Sequence, residues 1–185
     1  MIKKTLVKDL MIPLSDYATV SRDASLMEAM HALKNENKMH GERPYRHRAV
    51  LVLDEKGDVV GKASQVDMMR ALEPNYQKIG TDIDLSRFGF SSAFINATLK
   101  QFDLWERPLE ELYRSLKEIR VADVMYTPAD HQRVKDTDTL AMAIHQIVMG
   151  RHQSLLVTKG KKVLGILRST DVFNALYDLI DECDG

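Results

Sequence analysis

A chain of 185 residues is long enough for one large domain or two small ones. With 44% hydrophobic and 29% charged residues it has enough apolar material to offset ordering entropy, which excludes global disorder. Its 26 Lys and Arg against 27 Asp and Glu leave a net charge of −1, which argues against a general nucleic-acid or membrane-surface binder. A single cysteine, Cys183, cannot close an intrachain disulfide and fits a reducing compartment. No apolar run approaches the roughly 18 residues of a membrane span. Lys8 and Asp9 break the apolar core that a signal peptide would need, so the expected address is cytoplasmic.

In chain order, Val7-Lys-Asp-Leu-Met11 opens the sequence and Ala18–Val20 is a short extended stretch. Ser25-Leu-Met-Glu28 is a capping box, followed by a helix with apolar residues at 26, 29, 30 and 33. Ala49–Leu53 is a continuous apolar strand, Asp54–Asp58 is turn chemistry and Val59–Ala63 is the returning strand. A helix follows over about Gln65–Leu72.

The segment from about Glu73 to Arg120 is an insertion. Pro74–Ser92 lacks a clear period and is expected as loop. Ala93–Phe102 is expected to be helical, with Phe94, Ile95, Leu99 and Phe102 near one side. Pro108 suits the first turn of a second helix, whose stripe is Leu109, Leu112, Tyr113 and Leu116. A hairpin packed on the protein's own core is favoured over a partner surface that includes Trp105.

After the insertion, Val121-Ala-Asp-Val-Met125 repeats the opening motif at an offset of 114 residues from Val7. Arg133–Val134 is a short strand, and Leu140, Ala143, Ile144, Ile147 and Val148 share one helix face that Gly150 ends. Ser154–Thr158 and Val163–Leu167 are strands around a Lys159–Lys162 turn, and the last helix carries Val172, Phe173, Leu176 and Ile180 inward. Gly61 and Asp67 recur as Gly165 and Asp171 at an offset of 104, so the first copy has about ten extra residues, placed at Lys38–Arg48.

Two copies of strand, helix, strand, strand, helix in the same order resemble a tandem pair of cystathionine-β-synthase (CBS) domains, or Bateman module. The resemblance rests on the twin openers 7–11 and 121–125 and on Gly61-Lys-Ala-Ser-Gln-Val-Asp67 and Gly165-Ile-Leu-Arg-Ser-Thr-Asp171. It implies an α/β fold of two βαββα repeats related by a pseudo-two-fold, with a helical insertion between them. The corresponding division is 1–72, 73–120 and 121–185. It also implies a regulatory module without catalysis that binds AMP, ADP, ATP or S-adenosylmethionine between its halves. Such a module would need no cofactor, would form a homodimer, and would signal to an effector protein that the sequence does not identify. The alternative is a structural dimerisation module with empty clefts.

Ser64 stands where strand becomes helix, with Asp67 in the first turn; free N–H groups there attract anions, and a carboxylate can accept from a ribose diol. A bare capping box explains the same pattern. The resemblance and the duplicated aspartate point to ligand contact for Asp67 and Asp171. Arg168 replaces the family's Thr or Ser and could grip a phosphate, leaving Ser169 to cap the helix, or could be an exposed charge at the strand end. Lys62 occupies a position that is usually apolar in the family. Thr127-Pro128 and Ile12-Pro13 follow the two openers, where the family lines the adenine side of its cleft. Thr127 has a hydroxyl that Ile12 lacks, favouring the second copy as the adenine site. The basic segment Lys38–Arg48 contains Arg43, Arg46 and Arg48, of which Arg46 and Arg48 lie nearer the cleft, and Arg48 is the leading polyphosphate contact. The second copy has Arg151-His152 at the equivalent place, making His152 a candidate too. The six histidines have no metal-ligand spacing, and neither a nucleophilic triad nor a Walker loop appears, so neither a metal nor an enzyme activity is expected.

Overall fold

The structure, a computed structural model, describes residues 2, 4–39, 46–79 and 91–182. Arg43 and Cys183, and residues 80–90 of the expected loop, lie outside the described residues. The first half contains β1 (Ile12–Pro13), β2 (Thr19–Ser21), α1 (Leu26–Met39), β3 (Ala49–Leu53), β4 (Val59–Ser64) and α2 (Gln65–Leu72). The insertion supplies α3 (Ser92–Gln101) and α4 (Leu109–Glu118). The second half contains β5 (Arg133–Lys135), α5 (Leu140–Gly150), β6 (Ser154–Lys159), β7 (Lys162–Arg168) and α6 (Ser169–Asp181).

Each half folds for the same local reasons. The box before α1 is closed: Glu28 Oε2 accepts from the Ser25 N–H at 2.6 Å and from Ser25 Oγ at 2.7 Å. These bonds hold the exposed Glu28 carboxyl below its ordinary pKa. Thr139 caps α5 in the same way, accepting from the Met142 N–H. β2 runs parallel to β3, and β3 pairs antiparallel with β4. β5, β6 and β7 repeat that order, with Thr19 opposite Leu51 in one half and Arg133 opposite Leu156 in the other.

The two openers do not stay with the strands that follow them. Val7 is fully buried among Val134, Leu140, Leu155 and Leu167 of the second half, while Val121 is fully buried among Leu26, Val50 and Met68 of the first. The hydrogen bonds are reciprocal. The Val7 N–H donates to the Asp138 carbonyl and the Val121 N–H to the Ala24 carbonyl, each at 2.9 Å. The Leu140 N–H donates to Thr5 and the Leu26 N–H to Ile119, each at 2.8 Å. Further along, Ile12 of β1 pairs with Ile166 of β7, and Tyr126 pairs with Lys62 of β4. Every one of these pairs maps onto its counterpart under exchange of the halves, which is the pseudo-two-fold expressed in hydrogen bonds. A third cluster of Ile12, Tyr17, Leu51, Leu156, Val163 and Ile166 draws on both halves and forms the core of the seam.

In the insertion, Leu112, Leu116 and Ile119 of the α4 region pack on the first core, as expected of a hairpin, but Leu109 and Tyr113 are exposed. Phe94, Ile95 and Leu99 of α3 are also exposed, so only one helix of the pair faces the core. The last helix corrects the sequence reading as well. Val172, Ala175 and Leu179 face inward, whereas Phe173 and Ile180 are exposed. Val172 is thus buried as expected, and the stripe continues through Ala175 and Leu179 instead of Phe173 and Ile180. In α1, Met30 is exposed while Leu26, Ala29 and Leu33 are buried, and in α5 Val148 is exposed.

Candidate functional site

β4 and β7 each end at a helix N-terminus on the seam, and the two caps differ. At α2, Ser64 Oγ accepts from the Asp67 N–H at 3.2 Å, while Asp67 Oδ2 accepts from the Ser64 N–H at 2.8 Å and from Ser64 Oγ at 2.6 Å. This is the capping box allowed by the sequence. Among the described residues no hydrogen bond reaches Asp67 Oδ1. At α6 the Asp171 carboxylate is fully used: Oδ2 accepts from the Arg168 N–H at 3.0 Å and from Arg168 Nε at 2.8 Å, and Oδ1 accepts from Arg168 Nη2. Both side chains of that pair are largely shielded, at 12% and 15% exposed. Arg168 itself is the cap residue and Ser169 the first residue of the helix, contrary to the expected cap at Ser169. Ser64 reaches the carboxylate three residues ahead with a single hydroxyl, whereas the Arg168 guanidinium engages both oxygens of Asp171.

The crossover of the openers also changes which residues meet. Thr127 Oγ1 donates to the Val60 carbonyl of β4 at 3.3 Å, and the Pro128 carbonyl accepts from Arg133 Nε at 3.3 Å. Thr127 and Pro128 therefore follow a strand pairing with the Ser64–Asp67 half, and Ile12 and Pro13 lie on the Arg168–Asp171 half. The expected grouping of Thr127 with the second copy's aspartate does not occur. Arg48, exposed, places its carbonyl on the Gln65 N–H at 2.9 Å, which sets it beside the start of α2. The matching bond in the other half runs from the Ser169 N–H to Gln153, so Gln153 is the counterpart of Arg48 and His152 that of His47.

Two aromatic stacks lie at equivalent places. Tyr17 stacks on His47 with ring centroids 4.2 Å apart, and His131 stacks on His152 at 5.2 Å, both with planes 24° apart. Tyr17 is buried, and burial pushes its phenol well above the ordinary pKa; Arg168 opposes that shift while Asp171 and Tyr126 add to it. The 114-residue offset pairs Tyr17 with His131, but the residue types differ, so the equivalence of the two stacks emerges only in the structure.

Two stretches, residues 7–74 and 121–178, match the CBS domain family. The chain belongs to that family. No curated protein matches the sequence. Among solved structures it is similar to a CBS domain-containing protein from Bacillus anthracis, at 18% identity and a TM-score of 0.63 over 96% of both chains. It is also similar to CBSX2 from Arabidopsis thaliana, at 19% identity and a TM-score of 0.60 over 96% of this chain and 97% of that one. CBSX2 solved in complex with AMP aligns at 18% identity and a TM-score of 0.59 over 95% and 98%. The CBS fold is thereby shown.

His152 fits in the seam because Gly150 has no side chain: a Cβ at Gly150 would run into the imidazole. α5 ends at Gly150 as expected, and the left-handed residue that follows it is Arg151, at φ 51°. Burial lowers the His152 pKa, and the neighbouring charges of His131 and Lys62 act in the same direction, against a hydrogen bond to the His131 backbone. A shallow depression beside this stack is lined by His131, Met142, His145, Gln146, Met149 and His152. Among the described residues no group of three or more His, Cys, Asp or Glu is disposed to hold a metal, and no helix is long and apolar enough to cross a membrane.

Proposed function

We propose that this CBS pair is a regulatory sensor of an adenine nucleotide, bound on the seam in the half that contains Ser64 and Asp67. The observation that carries the reading is the crossover that brings Thr127 and Pro128 against β4, the strand that ends in a helix cap whose aspartate keeps one oxygen open. The α2 N-terminus supplies a favourable dipole, Asp67 Oδ1 an acceptor for a ribose hydroxyl, and Arg48 a cation beside the cap. His152 and its stacked partner His131 border the same region under the pseudo-two-fold. A neighbour of the same fold solved with AMP supports an adenosine ligand. AMP, ADP, ATP and S-adenosylmethionine are the candidates.

In the other half, Arg168 and Asp171 occupy each other, so that cleft is closed to a ribose diol and Arg168 is not free for phosphate. One ligand per chain follows. Ligand touching both halves shifts their relative arrangement, by no more than its difference in affinity for the two arrangements. The exposed apolar stripe of Phe173, Tyr177 and Ile180 on α6, with Val66 and Met69 on α2, suits a homodimer, and a separate effector protein would read the change in a cytoplasmic setting. Asp67→Ala is expected to weaken nucleotide binding at least tenfold in a calorimetric titration, while Asp171→Ala leaves it within about twofold. Loss of binding on Asp171→Ala with Asp67→Ala silent would reverse the assignment of the halves.

A further inference from the structure

Lys62 is the least expected residue in the seam. Its counterpart in the second half is Ile166, fully buried in the shared core, so this is a position the fold fills with hydrocarbon. Lys62 is itself only 8% exposed. Its Nζ donates to Ser154 Oγ, across the seam, at 2.7 Å, and lies 5.6 Å from the centre of the Tyr126 ring. Among the described residues no carboxylate pairs with it. A hydroxyl and a ring face do not offset the cost of removing an ammonium from water, and a buried cation is ordinarily neutralised by an anion. His152 is close enough to feel the Lys62 charge but supplies no counter-charge to it, since burial and that charge hold its imidazole toward the neutral form. Ser64 follows Lys62 by two residues on β4 and so projects from the same face of the strand, bringing the α2 cap and the lysine to one side.

We infer that Lys62 is a binding residue for an anionic group of the ligand, and that the seam therefore selects a phosphorylated adenosine over S-adenosylmethionine. The inference rests on the nucleotide reading above and names the charge class within it. A phosphate near Lys62 Nζ supplies the missing counter-charge and accepts a charge-assisted hydrogen bond. The sulfonium and ammonium of S-adenosylmethionine outweigh its carboxylate, so that ligand would add positive charge to the seam. Lysine at this position destabilises the empty protein and stabilises the loaded one, a trade of stability for function.

The test compares AMP, adenosine and S-adenosylmethionine by calorimetry on the wild type and on Lys62→Met, with thermal melts of both without ligand. The expected result is wild-type affinity about ten- to hundredfold higher for AMP than for adenosine, with S-adenosylmethionine weaker than AMP. In Lys62→Met, AMP falls to the level of adenosine, adenosine is unchanged, and the melting temperature equals or exceeds that of the wild type. AMP binding unaltered by Lys62→Met overturns the inference and leaves the nucleotide reading standing. A wild type that binds none of the three, nor ADP or ATP titrated in the same way, overturns both. Should Lys62→Met not fold, Lys62→Gln is read in the same way, and the wild type alone still decides: equal affinity for AMP and adenosine, or tighter binding of S-adenosylmethionine, overturns the inference.

Discussion

Gly165→Ala is expected to destabilise the protein by about 3 kcal/mol, whereas Gly61→Ala costs about 1 kcal/mol. The two glycines are counterparts, each in the returning strand of its half and each overlain by the other half's opener. What lies above them differs. A Cβ at Gly165 would run into the Ile12 carbonyl oxygen, with the Ile12 carbon at 3.0 Å and the Pro13 Cα at 3.1 Å, all of it backbone. Relief requires β1 to lift off β7, and with it Ile12 and Tyr17 from the seam core. A Cβ at Gly61 would meet only the side chain of Met125, its Sδ first and then Cγ at 3.0 Å and Cβ at 3.2 Å, and that flexible side chain has other rotamers available. Urea denaturation of the two variants measures the contrast. Equal losses would mean that the crossover of the openers does not set the packing at Gly165.

Glu73→Ala is expected to cost about 2–4 kcal/mol and to shift the emission of Trp105, the only tryptophan, to longer wavelength. Glu73 is fully buried at the end of α2, where the insertion begins. Its carboxylate accepts from the Asn75 N–H at 3.0 Å and from the Trp105 N–H at 2.8 Å, tying the two ends of the segment together. Asn75 Nδ2 donates to the Phe102 carbonyl, and Trp105 Nε1 donates to the Tyr76 hydroxyl, each at 3.1 Å. The turn so held contains Asp103 and Trp105 at φ 47° and 65°, in a region that side chains rarely occupy, and it buries Leu104 between them. Removing the carboxylate orphans two backbone donors and releases the strained turn. Glu73→Gln keeps one oxygen acceptor and should lose about 1 kcal/mol. Wild-type stability and unshifted emission in Glu73→Ala would show that the carboxylate does not organise the insertion.

Periodicity and capping signals exposed the repeating unit because they are local. The Ser25–Glu28 box and the apolar run at Ala49–Leu53 follow from spacing within a few residues, and the pairing of Gly61 with Gly165 from the recurrence of such a short pattern at an offset of 104. Where the openers pack was not legible: Val7 and Val121 are identical in type, so nothing in their own segments says which core each joins. That choice depends on contacts across more than a hundred residues, and it moved Thr127 from one half of the site to the other. The α6 face is only partly legible: Val172 is buried as its type suggests, but Phe173 and Ile180 are as apolar as Ala175 and Leu179, and only the core beneath decides between them. Lys62 was visible as a departure from the family pattern, but its burial and its reach to Ser154 required the second half in place. Glu73 has no sequence signal at all, since its partners are backbone groups.

The measurement that bears most directly on the account is a calorimetric titration of AMP into the wild-type protein. The account predicts saturable binding of one AMP per chain. Two equivalent sites per chain, or no binding at all, would contradict it.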